Sequence, residues 1–200
     1  MTHFIARPAV GQCLIAALLA CAVSGCMTTH AVDSTQRPST WAQPVANAGL
    51  HNLHRVTPTL WRSSLPDAQG FAAADALGIR TIVNLRPMPD TVPGSPRATL
   101  EHIPVWTWHV TDGEILDFLR IASDPARQPM LVHCQHGADR TGVMIAAYRV
   151  VVQDWSKEDA IREMQRGGYG YHAIWTNLPR VIRRLDVAKM RARLHSVQSP

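Results

Sequence analysis

The run His133-Cys134-Gln135-His136-Gly137-Ala138-Asp139-Arg140-Thr141-Gly142 constrains this chain more than any other segment. It follows the apolar stretch Met130-Leu131-Val132-His133 and leads into a helical pattern from Thr141 to Gln153. A buried strand that enters a helix through so short a loop wraps the loop amides around one point at the helix N-terminus. Those amides and the helix dipole together make an anion cradle. Gly137 lets the backbone turn back with no side chain in the way, and Gly142 allows helix and loop to approach closely. Cys134, at the base of the cradle, sits where a thiolate is stabilised. Arg140 projects into the same bowl and can hold two oxygens of a tetrahedral anion. A thiolate beneath a clamped phosphoryl group is set for in-line attack at phosphorus.

The rest of the chain predicts the frame that carries this loop. Leu53–Val56 and Thr59–Arg62 read as short strands about a turn at Pro58. Ala68–Leu77 is an alanine-rich helix stopped by Gly78. Ile79–Leu85 is a buried strand, Pro87–Pro96 a proline-rich loop, and His102–Trp108 a further strand. Gly113–Ser123 is a helix, as are Thr141–Gln153 and Ser156–Arg166, the last opened by Ser156 with Asp159 three residues on. Asn177–Leu194 is a final helix with an apolar stripe at Val181, Ile182, Leu185 and Leu194. Strands separated by helices of this length require crossovers. The expectation is a single α/β domain, residues 51–195, with a mostly parallel central sheet flanked by helices.

The N-terminus reads as an address. Residues 1–25 carry Arg7 and then an uncharged apolar stretch, Cys13–Val23, of signal-peptide length and too short to span a bilayer. Val23-Ser24-Gly25-Cys26 resembles the bacterial lipoprotein box, which makes Cys26 the expected acylation site. Leu18-Leu19-Ala20-Cys21 is an alternative box, and an ordinary cleaved signal is the plainer reading. Met27, in place of Asp, implies outer-membrane sorting in bacterial lipoproteins. The expectation is therefore an exported, periplasm-facing protein attached to the membrane by lipid, with residues 26–50, rich in Ser, Thr and Pro, as a flexible tether. With Cys13 and Cys21 removed and Cys26 acylated, Cys134 is the one thiol left, so it is no disulfide staple.

Charge excludes a broad class of function. The 200 residues carry a formal +5. Six basic residues and one acid from Arg180 onward account for all of it. A chain whose remaining surface is neutral is a poor ligand for nucleic acid, whose binding rests on phosphate neutralisation. The basic C-terminal helix reads first as a packed helix with a solvated charged face, with anionic headgroups or an acidic partner as alternatives.

The pattern His-Cys-x-x-Gly-x-x-Arg-Thr-Gly resembles the signature loop of cysteine-dependent protein tyrosine phosphatases, in the compact dual-specificity branch. The likeness extends to Leu60-Trp61-Arg62-Ser63-Ser64-Leu65-Pro66, to Gly78–Arg86, and to Met164-Gln165-Arg166-Gly167-Gly168-Tyr169-Gly170, where small periplasmic bacterial tyrosine phosphatases are similar. The resemblance implies a metal-independent enzyme without cofactor, acting on phosphotyrosine, and also on phosphoserine or phosphothreonine, of a phosphorylated protein or peptide. It implies Cys134 as nucleophile of a phosphocysteine intermediate and Arg140 as phosphate clamp. His133 would tune the thiolate, and Thr141 would donate its hydroxyl to the sulfur. Gln135, His136, Gly137, Ala138 and Asp139 would complete the phosphate site.

The leaving oxygen also needs a proton. Asp112 is the expected acid, 22 residues before Cys134 and nearer than the family places it; its other reading is a helix N-cap. Glu114 reads as a dipole partner, with His109 and Asp90 as further candidates for the proton. Asp139, in Asp-Arg-Thr, is similar to the acid of several lipid-phosphate phosphatases, which keeps a phosphoinositide or small phosphate ester as an alternative substrate. A phosphate-binding lipoprotein without turnover is a third. Trp106, Trp108, Tyr169 and Tyr171 are placed to line a cleft, or to pack in the core.

Overall fold

A computed structural model describes Met1, residues 37–92 and residues 96–196. Six strands form one sheet: β1 (Gln43–Pro44), β2 (His54–Arg55), β3 (Leu60–Ser63), β4 (Thr81–Asn84), β5 (Thr99–His102) and β6 (Met130–His133). Their spatial order is β1-β2-β3-β6-β4-β5. β3, β6, β4 and β5 run parallel, and β1 and β2 add an antiparallel edge. The helices are α1 (Ala68–Ala76), α2 (Asp112–Ala122), α3 (Asp139–Val151), α4 (Lys157–Arg166), α5 (Asn177–Arg184) and α6 (Val187–His195). This is the single α/β domain with a mostly parallel sheet that the sequence predicts.

Strand alternation divides the interior. Ile82 and Leu131 face one side of the sheet, where they pack with Leu50, Leu53, Phe71 and Ala74 around α1. Leu60, Val83, Met130 and Val132 face the other, against α2, α3 and the C-terminal helices. Arg62 pairs in register with Val132, so alternation turns this cation toward the same apolar side. β6 is flanked by β3 and β4, and Cys134 therefore leaves the sheet at the carboxyl end of a central strand. Ligands of open parallel sheets collect at that end.

Side-chain caps open most helices. Asp67 accepts from Gly70 N at the start of α1, Ser156 from Asp159 N at α4, and Asp186 from Lys189 N at α6. α3 has Ala138 at its N-cap position and so no side-chain cap. Its first amides are left for something else.

Four expectations require correction. The strand expected over His102–Trp108 lies earlier, at Thr99–His102. Ile103 and Val105 still donate to Asn84 and Leu85 carbonyls, but Pro104 has no N–H to continue the ladder, and 106–109 closes as a turn. The single helix expected over Asn177–Leu194 breaks at Leu185, where Asp186 caps a second helix. The folded domain starts before residue 51, because Ala42 and Leu50 are fully buried and β1 joins the sheet. Asp112 is not an N-cap: Thr111 caps α2, accepting from Glu114 N while Glu114 accepts from Thr111 N. The basic C-terminal helices do pack, with Arg191 donating to the Val150 and Val151 carbonyls and Arg183 pairing with Glu158.

Candidate active site

Cys134 is buried at the base of the loop between β6 and α3. The loop carbonyls that follow it are occupied, three from outside the loop and the fourth by the opening turn of α3. Leu65 N donates to Gln135 O at 3.2 Å, Asn52 Nδ2 to His136 O at 2.9 Å, Arg62 Nη2 to Gly137 O at 2.6 Å, and Gly142 N to Ala138 O at 2.7 Å. The amides from Gln135 to Thr141 have no acceptor among the described residues. A loop with its carbonyls tied outward and its N–H groups free is an anion nest at a helix N-terminus.

Gly137 makes that wrap possible. Its φ is +68°, and a Cβ there would sit 2.4 Å from Ser63 O. Beneath it, the wholly buried Arg62 guanidinium lies with Cζ 3.6 Å from the Tyr169 ring centroid. Its Nε and Nη1 have no hydrogen-bond partner among the described residues. Tyr169 donates to Glu163 Oε1 at 3.0 Å, and burial with the Glu163 charge holds its phenol well above the usual tyrosine range. Glu163 in turn pairs with buried Arg149 and accepts from Ala42 N. A continuous chain of contacts thus joins the N-terminal strand to the loop.

The expected site residues fall into two groups. His133, Cys134, Gln135, His136, Gly137, Ala138, Asp139, Arg140 and Thr141 are brought together by the loop. Among the described residues Arg140 enters no hydrogen bond or ion pair, and the buried Thr141 hydroxyl has no partner. His133 is wholly buried; its Nε2 lies 2.9 Å from Asp90 Oδ2 and its Nδ1 3.4 Å from Cys134 O. Asp90 is therefore the orienting partner of His133, itself beside Arg86 at 3.5 Å. Asn84 shapes the connecting turn by accepting from Arg86 N and donating to Met88 O. The proline-rich loop is how an acid 43 positions upstream reaches the site.

The second group is placed otherwise than expected. Asp112 is exposed in the first turn of α2, and its carboxylate has no partner among the described residues. Asp139 accepts from His172 N and Nδ1, so its carboxylate is committed to that segment. Tyr169 is buried beneath the loop, its ring against the Arg62 guanidinium. Tyr171 is half-buried, donating to Trp175 O. Trp106 and Trp108 are exposed and pack on each other, ring centroids 4.7 Å apart. A shallow cleft beside the loop is lined by Leu65, Pro66, Met88 and Asp90. Cys26, the expected acylation site, lies outside the described residues.

Sequence reasoning passed over Arg62, Asn52, Glu163 and His172. Arg62 alone carried a local mark, a cation inside an otherwise apolar strand.

The family model described as "DSP-PTPase phosphatase fused to NAD+ Kinase" matches residues 43–174. The chain belongs to the dual-specificity-like protein tyrosine phosphatase family. It is 37% identical over 180 residues to the dual specificity protein phosphatase TpbA of Pseudomonas aeruginosa, a match covering 89% of this chain and 82% of that protein. The crystal structure of TpbA in complex with phosphotyrosine superposes with a TM-score of 0.69 at 35% identity, over 80% of this chain and 98% of that one. The catalytic core of the yeast PP-IP phosphatase SIW14 shares the fold, with a TM-score of 0.65 at 22% identity, over 78% of this chain and 98% of that one. The phosphatase domain begins within the segment expected to be tether, in agreement with the packing of Ala42.

Proposed function

We propose that this phosphatase hydrolyses phosphotyrosine, and with it phosphoserine or phosphothreonine, of a protein or peptide through a phosphocysteine intermediate. The observation that carries the reading is the loop's polarity. Its carbonyls are held outward, its amides are free, and a buried thiol lies at its base with an unpaired guanidinium on the next helical turn. Free amides and Arg140 neutralise the phosphoryl oxygens, and their hold strengthens as charge gathers in the transition state. Cys134 sulfur bonds to phosphorus as the ester bond breaks; water then displaces the sulfur, and the unpartnered Thr141 hydroxyl stands ready to donate to the departing thiolate. His133, held by Asp90, fixes the loop at the sulfur.

Two observations favour a protein substrate over an inositol lipid. TpbA, the relative with a phosphotyrosine complex, aligns over most of both chains. Asp139, the feature that kept the lipid reading alive, is engaged by His172. Turnover of a phosphotyrosine peptide and a phosphoinositide by the full chain, in the presence of chelator, tests the reading. Preference for the peptide, abolished by Cys134→Ser, is the expected result. Preference for the lipid, or undiminished turnover by Cys134→Ser, contradicts it. Export and acylation at Cys26 belong to the same proposal and are tested by fatty-acid labelling of Cys26→Ser beside Cys21→Ser.

A further inference from the structure

Asp139 is the first residue of α3 and stands immediately before Arg140. Its carboxylate does not face an open phosphate site. Oδ1 accepts from the His172 backbone N–H at 2.9 Å, and Oδ2 contacts His172 Nδ1 at 2.8 Å. A carboxylate accepts only from a protonated nitrogen, so Nδ1 carries hydrogen and Nε2 is the ring nitrogen left over. The Asp139 side chain is 11% exposed and that of His172 is 49% exposed, which describes a buried anchor holding an accessible ring.

The ring stands at the rim of the loop. Asn52 Nδ2 donates to both His136 O and Tyr169 O at 2.9 Å, and so ties the segment leading to His172 against the loop. The His172 ring centroid lies 5.5 Å from that of His136, the second residue after Cys134. A carboxylate that orients an imidazole at the rim of a loop bearing a nucleophile is an arrangement that can organise proton transfer. Asp112, by contrast, has no side-chain partner among the described residues.

We propose that His172, oriented by Asp139, is the proton carrier of the reaction. The step rests on Cys134 being the nucleophile. As the sulfur–phosphorus bond forms and the phosphorus–oxygen ester bond breaks, imidazolium Nε2–H passes its proton to the leaving oxygen. The neutral imidazole then takes a proton from the water that attacks the phosphocysteine. The sulfur–phosphorus bond breaks, the thiolate leaves, and His172 is again protonated. His172 is the catalytic residue of this pair and Asp139 the positioning residue.

The test compares phenyl phosphate, whose leaving group needs a proton, with 2,4-dinitrophenyl phosphate, whose leaving group does not, using the full chain. His172→Gln is expected to lower kcat/KM on the order of 100-fold for the first substrate and only slightly for the second. Asp139→Asn is expected to shift the ratio in the same direction by less. His172→Ala with imidazole added to the buffer is expected to recover turnover of phenyl phosphate. Equal loss on both substrates, or no rescue by imidazole, overturns the proposal. So does a leaving-group-dependent loss seen in Asp112→Asn and absent from His172→Gln. Turnover by Cys134→Ser is a separate result, and it removes the phosphocysteine reading together with this step.

Discussion

Arg62 Nη2 donates to the carbonyl oxygen of Gly137 at 2.6 Å, while the Arg62 Cζ sits 3.6 Å from the Tyr169 ring centroid. A fully buried cation is costly unless its surroundings compensate it. Here a ring face and a loop carbonyl do so, and the strand residue holds the Cys134 loop at Gly137, where the backbone takes a positive φ. Arg62→Met keeps the volume and removes the donor. It leaves a buried carbonyl unsatisfied, at about 1–3 kcal/mol, so kcat/KM is expected to fall roughly tenfold to a hundredfold. Arg62→Lys restores part of it. Steady-state kinetics beside thermal denaturation check this, and a melting shift with unaltered kcat/KM speaks against the loop-holding role.

Two glycines of the loop region differ in what surrounds them. A methyl at Gly137 meets the Ser63 backbone at 2.4 Å and demands a positive φ, whereas one at Gly142 meets the flexible Met164 side chain at 2.9 Å. Gly137→Ala is expected to abolish turnover and phosphate binding. Gly142→Ala is expected to retain both, at a stability cost on the order of 1 kcal/mol. Vanadate or phosphate binding followed by calorimetry distinguishes them; equal effects contradict the geometry.

Glu163 holds three elements at once. It accepts from Arg149 Nε at 2.8 Å and Nη2 at 2.9 Å, from Ala42 N at 2.7 Å, and from Tyr169 OH at 3.0 Å. Glu163→Gln leaves the Arg149 charge buried and uncompensated, with an expected loss of about 3–5 kcal/mol. Urea denaturation measures it, and a change below about 1 kcal/mol would show the pair to be dispensable.

His54 supplies a pH dependence. Burial lowers its pKa from 6.5 to about 4, opposed by its hydrogen bond to Asn52 O, and its ring stands edge-on to Tyr169 at 4.8 Å. The unfolded chain binds this proton more tightly than the folded one. Its contribution is therefore fully present above pH 6.5 and is lost as pH falls toward 4, by roughly 3 kcal/mol. His54→Gln is expected to flatten the stability profile between those values. An unchanged slope in the variant contradicts the assignment.

The strand–loop–helix unit was legible because it is local. Apolar periodicity, one glycine that must turn and one arginine at fixed spacing all lie within about a dozen residues. What escaped is long-range. Residues 26–50 read as a tether by their prolines and hydroxyls, yet Ala42 finds Glu163 121 positions away. His172 meets Asp139 across 33 positions, and Asn52 meets His136 across 84. No window of sequence contains both partners. The misplaced fifth strand has a different cause: Ile103 and Val105 alternate as a strand should, and Pro104 between them interrupts the ladder.

The measurement that bears most directly on the account is the state of Cys134 during turnover. The full chain, mixed with a phosphotyrosine peptide and quenched within the first turnover, is digested and its cysteine peptides weighed by mass spectrometry. The account predicts a phosphoryl adduct on the peptide bearing Cys134, absent from Cys134→Ser together with all product. Product release by Cys134→Ser, or turnover with the phosphoryl group found on another residue, contradicts it.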